Sequence, residues 1–219
     1  MSLNPKVPVP ILAQNQTYIY HITHIDNLPG IINSGCVMSD ARRRRGECNA
    51  TSIGHEHIKD RRMRRPVLLA AGGVLGDYVP FNFCPRSVML HSIWRGRVAS
   101  YGGGQDRVVH LVTTAQAAAT LGRPWAFTDR HAELVEAEYF DDLVHLPRLR
   151  WDIVNSNDWG GDQRRPFKQA EFLVHDHVSW TAIRWIGTMN EDTRAEVERI
   201  VTGGPDAPQV LVHREWYYP

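Results

Sequence analysis

Residues 167–178 read FKQAEFLVHDHV. Phe172-Leu173-Val174 is a short apolar run bounded by polar residues, which reads as a strand. A glutamate, Glu171, opens it. A carboxylate at the head of a strand is ordinarily a solvated strand end, because charged side chains are seldom buried without a partner. The alternative is a carboxylate held inside a site, and the rest of the chain must decide between the two. Upstream, 155–165 is polar and contains glycine, and is expected to be a mobile loop. Downstream, His175 and His177 form an HxH pair that would place both rings on one strand face.

Working outward, Tyr18–Thr23, Cys36–Met38, Tyr78–Phe83, Val108–Val112, Trp125–Thr128, Ile183–Ile186 and Val210–His213 have strand composition. Pro80 argues for an edge strand or a bulge. Trp216-Tyr217-Tyr218 is expected to close the chain as a further strand. Short helices are expected at Leu28–Ile32, with Pro29 in the first turn, and at His55–Met63, Ser87–Trp94 and Thr114–Thr120. Glu133–Tyr139 has helical spacing, and Asp141–Val154 reads as a turn and a helix. A capped amphipathic helix runs over 190–201, with Gly203-Gly204 as its stop. Strands and helices mix without a regular βαβ rhythm, so the fold class is α+β around an antiparallel or mixed sheet. No glycine-rich dinucleotide fingerprint or P-loop is present. No repeat or linker divides the chain: 1–16 reads as an extended N-terminal arm packed on the body through Ile11 and Leu12, and 17–219 as a single domain.

The chain of 219 residues is 42% hydrophobic and 22% charged, a composition ordinary for a soluble globular protein. No apolar run is long enough to span a membrane and the first residues lack a secretory pattern, so a cytoplasmic protein is expected. Three cysteines, Cys36, Cys48 and Cys84, form no CxxC pair and suit reduced thiols. The formal net charge is only +1, yet eight arginines and one lysine crowd 42–65. Arginine makes planar, bidentate contacts with phosphate or carboxylate. This segment is either a solvated helical face or a surface that tracks a polyanion.

Six histidines fall in close pairs, His21/His24, His55/His57 and His175/His177. An HxH pair suits zinc, but there is no HExxH motif and no clear carboxylate third ligand, so no metal is expected. GxSxG is absent, and Cys84 reads as a small packed hydrophobe. Three pieces remain: a strand with His21 and Thr23 on one face, the basic helix Ile58-Lys59-Asp60-Arg61-Arg62, and Gln169-Ala170-Glu171.

Their order resembles the DarT family of toxin ADP-ribosyltransferases, which modify DNA using NAD. The resemblance runs through YHITHIDNLPGIINSG (20–35), NATSIGHEHIKDRR (49–62), RPVLLAAGGVLGDYVPFNFCPRSVML (65–90), PWAFTDRHA (124–132), QAEFLV (169–174) and WYYP (216–219). It implies the ADP-ribosyltransferase fold, with two packed, mostly antiparallel sheets, flanking helices and NAD in the cleft between the sheets.

The resemblance also implies roles. His21 and Thr23 would hold the nicotinamide-side ribose and amide of NAD, with Asn27 in the same pocket and Met89 walling the nicotinamide. Glu171 would stabilise the positive charge that develops on the ribose, help worth about 3–4 kcal/mol for one such group. Arg62 would stabilise the acceptor base as it loses a proton, since arginine itself stays protonated. Arg61, Arg64, Arg65 and His131 would contact single-stranded DNA, which is free of the cost of unpairing. A DarG-type macrodomain antitoxin is the implied partner, with thymidine as the acceptor. Guanine in DNA, RNA or a 2′-phosphate are the alternative acceptors. A non-catalytic nucleic-acid binder and a zinc nuclease built on the HxH pairs are the rivals from other classes.

Overall fold

Ten strands carry the fold of the computed structural model, which describes residues 16–47, 50–201 and 207–219. The contacts expected of Ile11 and Leu12, Cys48 and the Gly203-Gly204 stop lie outside these residues. The strands are β1 (Tyr18–His24), β2 (Cys36–Met38), β3 (Tyr78–Asn82), β4 (Val108–Thr114), β5 (Trp125–Thr128), β6 (Tyr139–Phe140), β7 (Glu171–His175), β8 (His177–Ser179), β9 (Trp185–Thr188) and β10 (Gln209–Val212). Eight of them form one array, in the order β10-β9-β4-β1-β3-β7-β5-β6, and β2 pairs with β8 in a small second sheet. Pairing is antiparallel except between β9 and β10.

The large array is two halves meeting at a loose joint. β1 runs against β4 from Tyr18↔Thr114 to His24↔Val108, and β3 against β7 from Tyr78↔His175 to Asn82↔Glu171. Between β1 and β3 only Tyr20↔Asn82 is in register. Beyond that pair the strands diverge, and the opening between them is the cleft.

Pro80 sits at this divergence. β3 is an interior strand in unbroken register with β7, rather than the edge strand or bulge expected from a proline. The physical reason is local: the Pro80 carbonyl accepts from His21 Nδ1 at 2.8 Å, so this face of the residue looks toward β1 where the ladder has opened. A missing N–H costs no ladder hydrogen bond there.

Alternation fills the core from both halves. Ile19, Val109, Leu111 and Ile186 are buried on one side, and Phe81, Phe127 and Phe172 on the other. The Phe172 ring stacks on Trp125 at 5.2 Å. Side-chain caps start the helices where the sequence places them. Ser87 Oγ accepts from Leu90 N ahead of Val88–Trp94, and Asn190 Oδ1 accepts from Thr193 N at the start of Glu191–Val201. Gly35, at φ 69°, closes the helix Leu28–Ser34.

Four further expectations need correction. Residues 133–138 form turns rather than a helix, pinned by Arg61 and Arg65 from across the groove. The strand near 183–186 begins at Trp185. The chain end is a short 3-10 turn, Arg214–Trp216, not a strand. It is held by its aromatics: Trp216 stacks on His213, and the buried Tyr217 hydroxyl donates toward the Val108 and Gly187 carbonyls. Finally, HDH is not one strand. Asp176 takes φ 66°, so His175 ends β7 and His177 begins β8. The pair therefore does not present two rings on one face of one strand. Among the described residues no helix is long and apolar enough to cross a membrane.

Candidate active site

Glu171 heads β7 opposite Asn82, which is in turn opposite Tyr20 on β1. The carboxylate therefore stands where the two halves of the sheet come apart. It is 6% exposed, so the solvated strand end is excluded. Its partner is Arg62, 9% exposed, at the last turn of the helix Glu56–Arg62. Arg62 Nη1 donates to both carboxylate oxygens, at 3.1 and 2.8 Å. Ala132 N–H approaches Oε1 at 3.4 Å, and the Glu171 N–H donates to Thr128 Oγ1 at 3.2 Å. Thr128 Oγ1 donates in turn to the Arg130 carbonyl at 2.6 Å. Backbone and side chain of Glu171 are thus both fixed. A charge buried with its partner needs this degree of fixing to persist.

Arg62 is not fully spent by the pair. Its Nη2 is buried and has no hydrogen-bond partner. A buried guanidinium N–H without an acceptor is costly, and such atoms concentrate where a ligand supplies the acceptor. His131 lies close enough to feel the pair: burial holds its imidazole below the ordinary value, Glu171 pulls it up and Arg62 pushes it down.

A cavity of about 260 Å³ fills the cleft between β1 and β3. His21, Thr23, Asn27, Met89, Arg62, His131 and Glu171 all line it. His21 has a defined tautomer: the Pro80 carbonyl can only accept, so Nδ1 carries the proton and Nε2 is the acceptor. Burial lowers the pKa of this ring and keeps it neutral. Asn27 is differently engaged. Its Nδ2 donates to Thr23 Oγ1 at 3.0 Å and to the Thr51 carbonyl at 2.9 Å, and its Oδ1 accepts from Thr51 N at 2.6 Å. Both of its donors are used inside the protein, clamping the segment around Thr51 onto β1.

A second cavity, of about 600 Å³, adjoins the first and shares Ile58, His131, Arg165 and Gln169 with it. Arg61, Arg64 and Arg65 line it as well, so the residues expected to contact nucleic acid are gathered on one groove. They are not equivalent. Arg61 pairs with Glu133 at 2.9 Å, and Arg65 Nη2 donates to the Leu134 carbonyl at 2.8 Å. Arg64 is exposed, with no ion pair among the described residues.

Several lining residues escaped sequence reasoning. Arg165 lines the first cavity without any motif to announce it, and Asn82 lies in the quoted stretch 65–90, which gave it no role. Arg43 and Lys59 lie within the basic segment, where nothing singled them out from their neighbours. Arg43 pairs with Asp40 at 3.6 Å and leaves a buried Nε without a partner. Lys59 Nζ donates to Ser52 Oγ at 2.6 Å. Gln169 was visible only as part of the QAE triplet. Among the described residues no group of three histidine, cysteine or acidic side chains is placed to hold a metal ion.

The family model described as "ssDNA thymidine ADP-ribosyltransferase, DarT" matches residues 20–218. This chain belongs to the DarT family. A "DNA ADP-ribosyl transferase" of Thermus sp. (strain 2.9) is 42% identical over 205 residues, spanning 92% of this chain and 96% of the relative. One of Escherichia coli O127:H6 (strain E2348/69 / EPEC) is 29% identical, spanning 99% and 96%. Among solved structures, "Thermus sp. 2.9 DarT in complex with ADP-ribosylated ssDNA" superposes with a TM-score of 0.87 at 41% identity, covering 92% of this chain and 96% of that one. The same Thermus DarT "in complex with NAD+" gives a TM-score of 0.85 at 39% identity, covering 94% and 100%. The α+β ADP-ribosyltransferase fold expected from the sequence is thus the fold of the family.

Proposed function

We propose that this protein transfers ADP-ribose from NAD to a thymidine base of single-stranded DNA, with Glu171 and Arg62 at the reacting centre. The observation that carries the assignment of these residues is their buried pair, on the wall of the cleft and beside the groove of arginines. NAD in the first cavity and a base entering from the second would meet there.

The bond that breaks is the glycosidic C–N bond to nicotinamide. Its electron pair leaves with the nicotinamide, and the ribose carbon becomes cationic. Glu171, preorganised by Arg62 and Ala132 N–H, faces that charge and accepts a ribose hydroxyl. On the acceptor, a thymine ring nitrogen loses its proton to solvent and forms the new C–N bond. The unpartnered Arg62 Nη2 suits a carbonyl oxygen of the base, on which negative charge grows as the proton leaves. The sum is NAD and thymidine converted to ADP-ribosyl-thymidine, nicotinamide and one proton, a glycosyl transfer without a metal.

The remaining roles follow from chemistry. His21 Nε2 and Thr23 would take the nicotinamide amide and ribose, and Met89 would cover the ring. Arg43 and Lys59 suit the diphosphate, as cations facing the same cavity. Asn27 positions rather than binds, because its donors are spent. Arg61, Arg64, Arg65 and His131 line the path of the DNA strand. A protein that modifies DNA in the cytoplasm of its own cell requires restraint, and a DarG-type macrodomain antitoxin that removes the ADP-ribose is the partner this reading calls for.

The test is mass spectrometry of base-defined single-stranded oligonucleotides incubated with NAD and either wild type or Glu171→Gln. One ADP-ribose added to thymine-containing strands only, and lost in the variant, is the expected result. Addition to guanine or RNA would keep the site and change the acceptor. No addition to any strand, with DNA binding intact, would reduce the protein to a nucleic-acid binder.

A further inference from the structure

The most exposed large apolar side chain of the described residues is Leu68, at 89%. It stands on a hairpin that rises from the rim of the arginine groove. Leu75 N–H donates to the Arg65 carbonyl at 2.9 Å, Pro66 bridges to Val74, and Val67 N–H donates to the Gly73 carbonyl at 2.9 Å. Alternation along this short ladder turns Val67 inward, where it is 2% exposed, and Leu68 outward.

The hairpin is braced from inside. Tyr78, on the core strand β3, sends its hydroxyl to the tip, where it donates to the Gly72 carbonyl at 2.9 Å and accepts from Ala71 N at 3.2 Å. Ala70 is held at φ 55°, a conformation alanine rarely adopts. The footing of the hairpin, Val67, Leu75 and Tyr78, packs with Ala132 and Leu173. Ala132 reaches Glu171 through its N–H, and Leu173 follows Glu171 by two residues on β7. An apolar side chain is thus presented to solvent on a rigid mount tied to the reacting centre.

What surrounds it identifies the occupant. Leu68 follows Arg65 by three residues, so it stands within about 11 Å of it along the chain. Arg65 also reaches across to the Leu134 carbonyl, and the next residue there, Val135, is 81% exposed. Two exposed apolar side chains therefore flank a groove lined by arginines. A single strand of DNA has the matching pattern, an anionic backbone carrying bases whose faces are apolar. We propose that the Arg65–Leu75 hairpin is a finger that seats an unpaired base, next to the acceptor nucleotide, against Leu68. The proposal rests on the single-stranded DNA reading of the groove.

The test compares wild type, Leu68→Ser and Leu68→Trp on oligonucleotides with one acceptor thymine and an abasic site moved through the flanking positions. Leu68→Ser is expected to raise the KM for the intact strand about five-fold, the effect of uncovering half a leucine side chain. The kcat, the NAD affinity and the melting temperature stay at wild-type values, because Leu68 contacts neither the cavity nor the core. Leu68→Trp lowers the KM. The difference between variants vanishes on the strand abasic at the one position that Leu68 covers. Equal KM values for all three proteins on every strand would overturn the proposal. So would a variant with wild-type DNA kinetics but weakened binding to a macrodomain antitoxin, which would assign the finger to a protein partner. If wild type modifies no strand, the acceptor reading fails by itself. Fluorescence anisotropy of wild type and Leu68→Ser on the same oligonucleotides then still tests the finger.

Discussion

Replacing Arg62 by methionine removes a charge but keeps a side chain long enough to fill most of its space. It leaves the Glu171 carboxylate buried, with the Ala132 N–H at 3.4 Å as its remaining side-chain hydrogen bond. The direct attraction across the 2.8 Å contact is about 6 kcal/mol at an effective dielectric of about 20. Burying both charges costs much of that, so the net value of the pair is far smaller. Breaking it is another matter, because the desolvation of the surviving carboxylate is no longer offset. The expected loss in Arg62→Met is about 3–5 kcal/mol. For a chain of this size that lowers the melting temperature by roughly 6–20 °C.

The assay is urea denaturation of wild type, Arg62→Met, Glu171→Leu and the double variant. The double variant should be more stable than Arg62→Met alone, since it removes the stranded charge, and the coupling between the sites should exceed about 2 kcal/mol. A loss under about 1 kcal/mol in Arg62→Met, with additive effects in the double variant, would refute the reasoning. It would mean that the pair is hydrated like a surface ion pair. Activity is read separately: Glu171→Gln keeps the shape of the pair and should still lose at least ~100-fold in kcat.

Acid should weaken the fold through His110, which is fully buried between the Pro85 carbonyl and the Tyr217 hydroxyl. Burial lowers its pKa to about 4, so between there and the unfolded value the unfolded chain binds the extra proton. Stability is full above pH ~6.5 and falls by about 3 kcal/mol as the pH drops to ~4, a loss that urea melts of His110→Gln should show reduced. Asn27→Ala removes the clamp on Thr51 and should cost about 2 kcal/mol in the same melts, raising the KM for NAD while kcat is retained. Arg64→Ala should flatten the dependence of log K on log salt for single-stranded DNA by about 0.7, the share of one phosphate contact, with NAD binding unchanged.

The local chemistry of the site was legible because short-range rules governed it. A period of two put His21 and Thr23 on one strand face, and both line the cavity. Asn190 was readable as a cap because a cap acts on an N–H only three residues away. Expectations failed where distant residues intervened. The 133–138 segment has helical spacing, but Arg61 and Arg65 hold it in turns. Trp216 and Tyr217 have strand composition, but rings packed on β4 and β9 bend the chain into a 3-10 turn. The HDH triplet read as two rings on one strand face until the left-handed Asp176 put its histidines on separate strands.

The sequence by itself determined the family, through motifs spread along the whole chain, and the residue types on which the proposed chemistry depends. It could not determine what Glu171 touches. Arg62 lies 109 positions away, and only tertiary structure brings the two within 2.8 Å. That meeting depends on β1 and β3 sharing a single register pair, which opens the sheet beside the head of β7. A strand ladder is a long-range agreement between segments, and where it stops is decided by packing on both sides, not by either strand alone.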